Sequence, residues 1–484
     1  MQSVDFSTIA PLEILAATVV VVLLQIAIRR NQVVSLMLCL AGLTATVSSI
    51  ALAAAHIPAQ VTALFRVDFF GLFFIALIGV ATAATALLAS GYLARLDEQC
   101  GEFYLLLLMA ALGACVLVVS RHFASFFMGL EILSISLYTL IAYSRHRLES
   151  LEAGIKYLIL AAAASAFLLF GMALIYTQTG GLDFELLAAT LRQGSGAARP
   201  AVLSAGTAML VVGFGFKLAL VPFHMWTADV YQGAPAPATA FVATVSKISV
   251  AALMVRLFFP LSPADHAWIY RLFALMAFAS MWVGNLLALW QHHLKRILAY
   301  SSIAHLGYLM VAFMTGRQNA ATVVTFYLIA YGLSVLGCFA VVCVLSDAQG
   351  DADHLKDYHG LFFRRPWLGG ILALMILSLA GIPLTAGFIG KFLAIATAAG
   401  EQLWWLVLTL VLTSGIGLFY YLRVVVALFG QTEDKPEEQA RRAQFAVGLP
   451  AAVVLTFTTA ALILLGLAPG HLIDFISYAL SVAG

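Results

Sequence analysis

Several side chains of types that can move protons stand in this sequence where its composition should tolerate none. Glu131 lies within RHFASFFMGLEILSISLYTLIAY, Lys217 opens KLALVPFHMW, Lys247 is inside AFVATVSKISVAALMV, and Lys391 follows FIG in FIGKF; His224 and His305 also fall in apolar runs. A charge at the centre of a bilayer costs about 2.5–3.5 kcal/mol on the insertion scale, and such residues mark ion and proton pathways. The chemistry open to this set is proton transfer. Burial strips the hydration from an ammonium and favours the neutral amine, and a carboxylate brought close reverses that preference. A glutamate that approaches and withdraws would make a lysine hold and release a proton, whereas an arginine would stay charged throughout. For any one of these residues alone, a structural ion pair or the lining of a water cavity competes as an explanation. Three lysines and a glutamate together, two of the lysines beside helix breaks, favour a transport path.

The elements that position these groups follow from composition. Of the 484 residues, 63% are apolar and 10% are charged, against roughly 45–50% and 25% in soluble proteins. That leaves too few charges to cover a water-facing surface, so the chain is an all-α polytopic membrane protein. A net charge of +2 excludes a broad basic face and with it nucleic acid as a partner. Cys39, Cys100, Cys115, Cys338 and Cys343 are scattered without a CxxC pair, so they read as small buried apolar residues. The N-terminus has an acid and no basic n-region, so its first apolar run reads as a retained span.

Apolar runs long enough for a span, about 20 residues, occur near residues 9–28, 33–55, 69–93, 103–119, 122–142, 155–176, 202–232, 238–259, 268–290, 297–315, 320–345, 367–397, 402–429 and 446–470. That makes about fourteen; the fourth and fifth are separated only by Ser120 and Arg121, which leaves thirteen and fifteen as alternative counts. Odd-numbered loops hold thirteen Lys and Arg residues and even-numbered loops seven, which predicts cytoplasmic odd loops and both termini on the outer side. Residues 177–200 suit an amphipathic helix on the outer surface, and 346–365 and 430–444 are charged cytoplasmic loops. Pro222 interrupts the seventh run; Gly381, Pro383 and Gly387 interrupt the twelfth. The two broken spans are five apart and cross in opposite senses, so spans 4 to 8 and 9 to 13 superpose as inverted repeats with transport sites at their discontinuous helices. The chain then divides into 1–102 with spans 1 to 3, 103–259 as the first repeat, 260–429 as the second, and 430–484 as a loop and span 14.

Other charged positions are less telling. Lys156 follows Arg145, His146, Arg147, Glu149 and Glu152, and either joins the path or snorkels to the interface. Arg423 reads as an interfacial anchor. His292 and His293 beside Lys295 and Arg296 read as an interface cluster, since no third metal ligand stands near them in sequence. FIGKF lacks the first glycine and the hydroxyl of a phosphate-binding loop, and GFGFKLAL lacks the third glycine and the strand of a dinucleotide fold.

Three segments carry a family resemblance. KLALVPFHMWTADVYQGAPAPATAFVATVSK (217–247), WQHHLKRILAYSSIAHLGY (290–308) and LSLAGIPLTAGFIGKF (377–392) resemble the signature stretches of the antiporter-like membrane subunits of proton-pumping NADH:quinone oxidoreductase, respiratory complex I. VYQGAPAP and Lys391 favour the N branch of that family over L and M, and the likeness covers essentially the whole chain. It implies a proton-transfer chain of Glu131, Lys217, Lys247, His305 and Lys391, with Lys156 between the first pair and the central axis. It also implies no cofactor on this chain: NADH, flavin, iron–sulfur clusters and quinone belong to other subunits. Partners would be chain M, smaller membrane-arm chains and lipid, in a bacterial inner membrane with both termini periplasmic. His293 departs from the family pattern, where asparagine is expected. The competing functions are a subunit of a multi-chain sodium/proton antiporter and a non-conducting membrane scaffold.

Overall fold

A computed structural model describes residues 6–96, 101–193, 201–261, 263, 266–315, 318–347, 350–430 and 447–481. Among them, thirteen helices are long and apolar enough to cross a membrane, and two shorter apolar helices form a further, broken one. In chain order these are span 1 (Ala10–Ile28), span 2 (Gln32–Ala54), span 3 (Phe69–Leu93), span 4 (Gly101–Val119), span 5 (Phe123–Ile141) and span 6 (Leu148–Thr179). Span 7 is split into Ala201–Leu218 and Trp226–Gly233, and span 8 runs over Ala236–Phe258. Spans 9, 10 and 11 are Ala267–Leu289, Leu294–Phe313 and Gln318–Leu345. Span 12 is split into Pro366–Ala380 and Ala386–Gly400, followed by span 13 (Trp404–Phe429) and span 14 (Leu449–Leu467). The fourteen apolar runs thus reappear in order. Cys100 and the loop from residue 431 to 446 lie outside the described residues, while Cys39, Cys115, Cys338 and Cys343 are buried thiols.

Sharp turns between spans are possible because side chains take over the helix-end amides. The His122 ring accepts the N–H of Ala124 at 3.0 Å, and Arg121 N donates to Leu64 O at 3.1 Å. Two separate helices therefore fit where Ser120 and Arg121 are the main interruption. Asn31 and Asp68 cap spans 2 and 3 in the same way. The expected surface helix is Phe184–Gln193, which docks on the start of span 5 through the Phe123 and Phe184 rings and an Arg121–Glu185 ion pair at 3.3 Å.

The core is not evenly distributed. Span 8 is buried along its whole length and spans 10 and 11 nearly so, whereas spans 1, 2 and 14 bury about a third of their residues. Close approach rests on small residues. A Cβ on Gly113 would meet Leu133 N at 2.5 Å and Gly129 O at 2.7 Å; a Cβ on Gly284 would meet Ala304 N at 2.7 Å and Tyr300 O at 2.8 Å. The same helix-to-helix register therefore joins spans 4 and 5 and spans 9 and 10.

Each break frees backbone groups that lipid cannot satisfy, and protein groups satisfy them instead. In span 7, Ala219 takes a positive φ of 59°, the Trp226 indole donates to Phe216 O at 3.0 Å, and Val221 N donates to Ser280 Oγ at 2.9 Å. In span 12 the first half ends at Gly381, φ +83°, and Thr385 caps the second half. Gly387 passes so close to the first half that a Cβ would lie 1.9 Å from Ser378 O. Gly387→Ala should force the half-helices apart at a cost of about 1–3 kcal/mol, read as a lowered melting temperature of the purified chain; an unchanged melt would show that the break tolerates a side chain there.

Candidate functional site

Lys217, Lys247, His305 and Lys391 are 3%, 0%, 3% and 6% exposed, and each is held by neutral partners. Lys217 ends the first half of span 7, where the chain leaves the helix, and its Nζ donates to Ser134 Oγ of span 5 at 2.7 Å. The ring of Tyr157 stands 5.5 Å from that ammonium. Glu131 lies one helical turn before Ser134, on the same face of span 5, and accepts a 2.6 Å hydrogen bond from Ser165 Oγ of span 6. Among the described residues Glu131 and Lys217 form no direct ion pair; Glu131 is held by Ser165 and Lys217 by Ser134.

Lys247 follows a five-residue π-helical turn, Val242–Ser246, an irregularity common at functional sites. Its Nζ donates to Ser302 Oγ of span 10 at 2.5 Å and stands 5.5 Å from the Tyr231 ring. Ser302 in turn shares a 2.5 Å hydrogen bond with Tyr331 of span 11. One turn further along span 10, His305 bonds Tyr327 through Nδ1 at 2.8 Å and Tyr421 of span 13 through Nε2 at 3.0 Å. A small cavity lined by His305, Tyr327, Tyr331, Ser334 and Ser378 continues from there to the broken span 12. Lys391 turns back over the break, donating to Ala380 O at 2.9 Å and Ser414 Oγ at 3.0 Å. It thereby fills a carbonyl at the C-terminal, negative end of the first half-helix. Positive φ and the approach of Lys391 Cδ, 2.9 Å from where a Cβ would stand, together demand glycine at 381.

Other lysines behave differently. Lys156, its side chain 43% exposed, pairs with Glu152 at 2.7 Å and Asp229 at 2.8 Å, and Asp229 also binds Arg296 at 3.0 Å. The structure brings it to these groups and not to Lys217 or Lys247. Lys295, in the cluster read as interfacial, has a side chain 0% exposed that donates to Asp351 at 2.5 Å and Ala234 O at 2.7 Å. Tyr92 donates to the other carboxylate oxygen of Asp351 at 2.6 Å. Arg423, read as an interfacial anchor, caps span 9 through the carbonyls of Leu289 and Gln291. His224 lies in the break of span 7, and its Nδ1 has no hydrogen-bond partner among the described residues.

Charges of the odd-numbered loops gather on one face, where Asp351 also meets Arg147 at 3.8 Å and Arg95 donates to Val344 O at 2.8 Å. On the other face Arg256 grips Asp68 through 2.8 and 2.9 Å hydrogen bonds. Burial opposes ionisation of Asp68, but Arg256 and the Gly71 N–H outweigh it and hold the carboxyl below its ordinary range. Sequence reading overlooked Ser134, Ser165, Ser302, Tyr331, Tyr421 and Asp351. The hydroxyls interrupt apolar runs as visibly as the lysines do, so a search for every polar residue in a span would have found them; Asp351, in a charged loop, gave no such signal.

Fourteen spans, two of them broken, around a buried row of lysines define an antiporter-type polytopic membrane protein. The profile of the family described as NADH:quinone oxidoreductase/Mrp antiporter, TM, matches residues 120–417, and the chain belongs to that family. Proteins called NADH-quinone oxidoreductase subunit N are similar to it throughout: one from Ectopseudomonas mendocina is 45% identical over 98% of this chain and 96% of its own length. Another, from Chromohalobacter salexigens, is 46% identical over 97% and 98%. Among solved structures, a chain of respiratory complex I from Thermus thermophilus with bound aureothin aligns with a TM-score of 0.81 at 34% identity, covering 96% of this chain and 98% of that one.

The Lys295–Asp351 pair provides a test of the fold at the site's edge. Asp351→Asn leaves Lys295 buried without its counter-charge and should cost about 3–5 kcal/mol. Replacing both by apolar residues, Lys295→Met with Asp351→Leu, should recover most of that loss in the melting temperature.

Proposed function

We propose that this chain is the N-type membrane-arm subunit of a proton-translocating NADH:quinone oxidoreductase, carrying protons along Glu131, Lys217, Lys247, His305 and Lys391 while electron transfer from NADH to quinone takes place in other subunits. One observation carries this reading. Among the described residues none of Lys217, Lys247 and Lys391 has a carboxylate within ion-pair distance, and each instead faces a serine hydroxyl. A permanently charged ammonium so placed is strongly disfavoured. A hydroxyl can accept from an ammonium or donate to a neutral amine, so these sites suit both states that a proton carrier must visit. Fixed ion pairs, which a passive scaffold would use, occur instead at the ends of the spans, Lys295 with Asp351 on the odd-loop face and Arg256 with Asp68 on the other.

The path has a recognisable order. Glu131 biases the charge on Lys217 across the hydroxyls of Ser134 and Ser165. Lys247, Ser302 and Tyr331 lead to His305, whose two ring nitrogens can take a proton on one side and release it on the other. The polar cavity beyond His305 leads toward Lys391. Lys156 stands in an open cleft with Glu149, Glu152 and Asp229, where protons can be collected from water. The repeated glycine register between spans 4 and 5 and spans 9 and 10 supports an inverted repeat over 103–259 and 260–429. Partners are then chain M and smaller membrane-arm chains, and NADH, flavin, iron–sulfur clusters and quinone are bound elsewhere in the complex. The sodium/proton antiporter reading shares the fold, but near-full-length identity to subunit N proteins favours the redox complex.

Each proton works against about 2.3 kcal/mol per 100 mV of membrane potential, so a carrier must change its affinity within the cycle, which lysine can do and arginine cannot. Lys247→Arg and Lys247→Ala should both assemble yet abolish NADH-driven proton uptake into inverted vesicles; an arginine variant pumping at the wild-type proton-to-electron ratio would make Lys247 a fixed charge. Glu131→Gln should slow coupled turnover severalfold and Glu131→Asp much less, measured in membranes of equal subunit content. The excess of Lys and Arg in odd loops places both termini on the periplasmic side: a cysteine added after Gly484 should react with a membrane-impermeant thiol reagent in right-side-out vesicles and not in inverted ones.

A further inference from the structure

The charged loop between spans 11 and 12 folds back onto the entrance of span 10, and there it supplies what His293 lacks in sequence. His293 and His354 face each other in an antiparallel backbone bridge. Leu294 N donates to Asp353 O at 2.5 Å on one side of it, and Leu355 N donates to His292 O at 3.0 Å on the other. This backbone framework sets the two imidazole rings 3.8 Å apart and brings His293 Nδ1 within 3.2 Å of Asp353 Oδ2. One ligand atom from each of His293, Asp353 and His354 lies within 4.8 Å of the others. Beside them opens a cleft of about 240 Å³ whose walls include the acids Asp347, Asp353 and Asp357. The triad is half-buried to exposed and lies outside the spans, so a cation can reach it from water.

We infer that His293, Asp353 and His354 form a binding site for a transition-metal dication of the zinc class, which fastens the loop of residues 350–358 to the start of span 10. Two imidazoles and one carboxylate are the borderline donors that such ions prefer, whereas calcium and magnesium select all-oxygen cages. Three ligands leave a fourth position for water from the cleft. His354 also opens the turn Leu355–Tyr358, where its carbonyl accepts the Asp357 N–H at 3.0 Å and its own N–H donates to Asp357 Oδ2 at 3.1 Å, so the backbone of the turn is satisfied and the ring is left to ligate. The loop so fastened carries Asp351, the partner of buried Lys295, and span 10 carries Ser302 and His305. A metal here would therefore set the mobility of the loop directly above those groups without taking part in proton transfer.

The test uses the full chain purified in detergent, treated with chelator and titrated with Zn²⁺, with bound metal counted by mass spectrometry and trypsin cleavage after the exposed Lys356 followed in parallel. One Zn²⁺ per chain should bind, undiminished by a hundredfold excess of Ca²⁺ or Mg²⁺, and should slow that cleavage about tenfold. His354→Ala and Asp353→Asn should weaken binding at least tenfold and remove the protection. His354→Cys supplies another zinc ligand and should keep both, which separates loss of a ligand from loss of fold. Wild-type protein that binds no more Zn²⁺ than His354→Ala, that binds it without protecting Lys356, or that yields it to Ca²⁺ would overturn the inference and leave a histidine–aspartate hydrogen bond between loop and span.

Discussion

A polar group inside this bundle is costly unless it finds a partner within the protein, because the surrounding apolar side chains and lipid offer none. The two broken spans show how that requirement builds the site. Once span 12 stops at Gly381, the carbonyl of Ala380 needs a donor, and Lys391 reaches back to supply it. In span 7 the Trp226 indole does the same for Phe216, which leaves Lys217 free to reach across to Ser134 of span 5. A break is thus a way to hold a lysine deep in the bundle, and the lysine in turn stabilises the break.

Two populations of lysine result, distinguished by their partners. Lys156 and Lys295 are bound to carboxylates near the odd-loop face, where ion pairs tie spans and loops together. Lys217, Lys247 and Lys391 meet hydroxyls in the buried interior, and the ring of a tyrosine stands close to each. A carboxylate beside a buried ammonium favours the charged form, whereas a hydroxyl can accept from an ammonium or donate to a neutral amine. Span 8 is buried on all sides, and Asn285 joins Tyr308 and Tyr420 by hydrogen bonds of 2.8 and 3.1 Å, so the elements flanking the row are braced by packing and by satisfied polar networks.

The arrangement also accounts for the economy of the chain. Its charged residues concentrate at span ends, caps and loop contacts. Asp68 with Arg256 closes one face, and Asp351 with Lys295 and Arg147 closes the other. Between them Lys217, Lys247, His305 and Lys391 lie buried in spans 7, 8, 10 and 12.

The lengths of the apolar runs determined the order of the spans and their approximate number, since a bilayer demands about 20 apolar residues for each, and proline and glycine located both breaks because those residues cannot continue a helix without loss. Ionisable residues within apolar runs were legible for the same reason: their cost makes each one conspicuous. Pairing was not legible. That Lys217 meets Ser134, that Lys247 meets Ser302, that Glu131 is held by Ser165 and not by a lysine, and that Lys295 is buried against Asp351 depend on helix rotation and on contacts between residues far apart in the chain. Sequence spacing constrains which residues share a face of one helix, but which faces meet is decided by close packing at small residues such as Gly113 and Gly284. For the same reason His292 and His293 read as an interface cluster with no third metal ligand near them in sequence, and only the folding of a distant loop onto span 10 brought Asp353 and His354 beside His293.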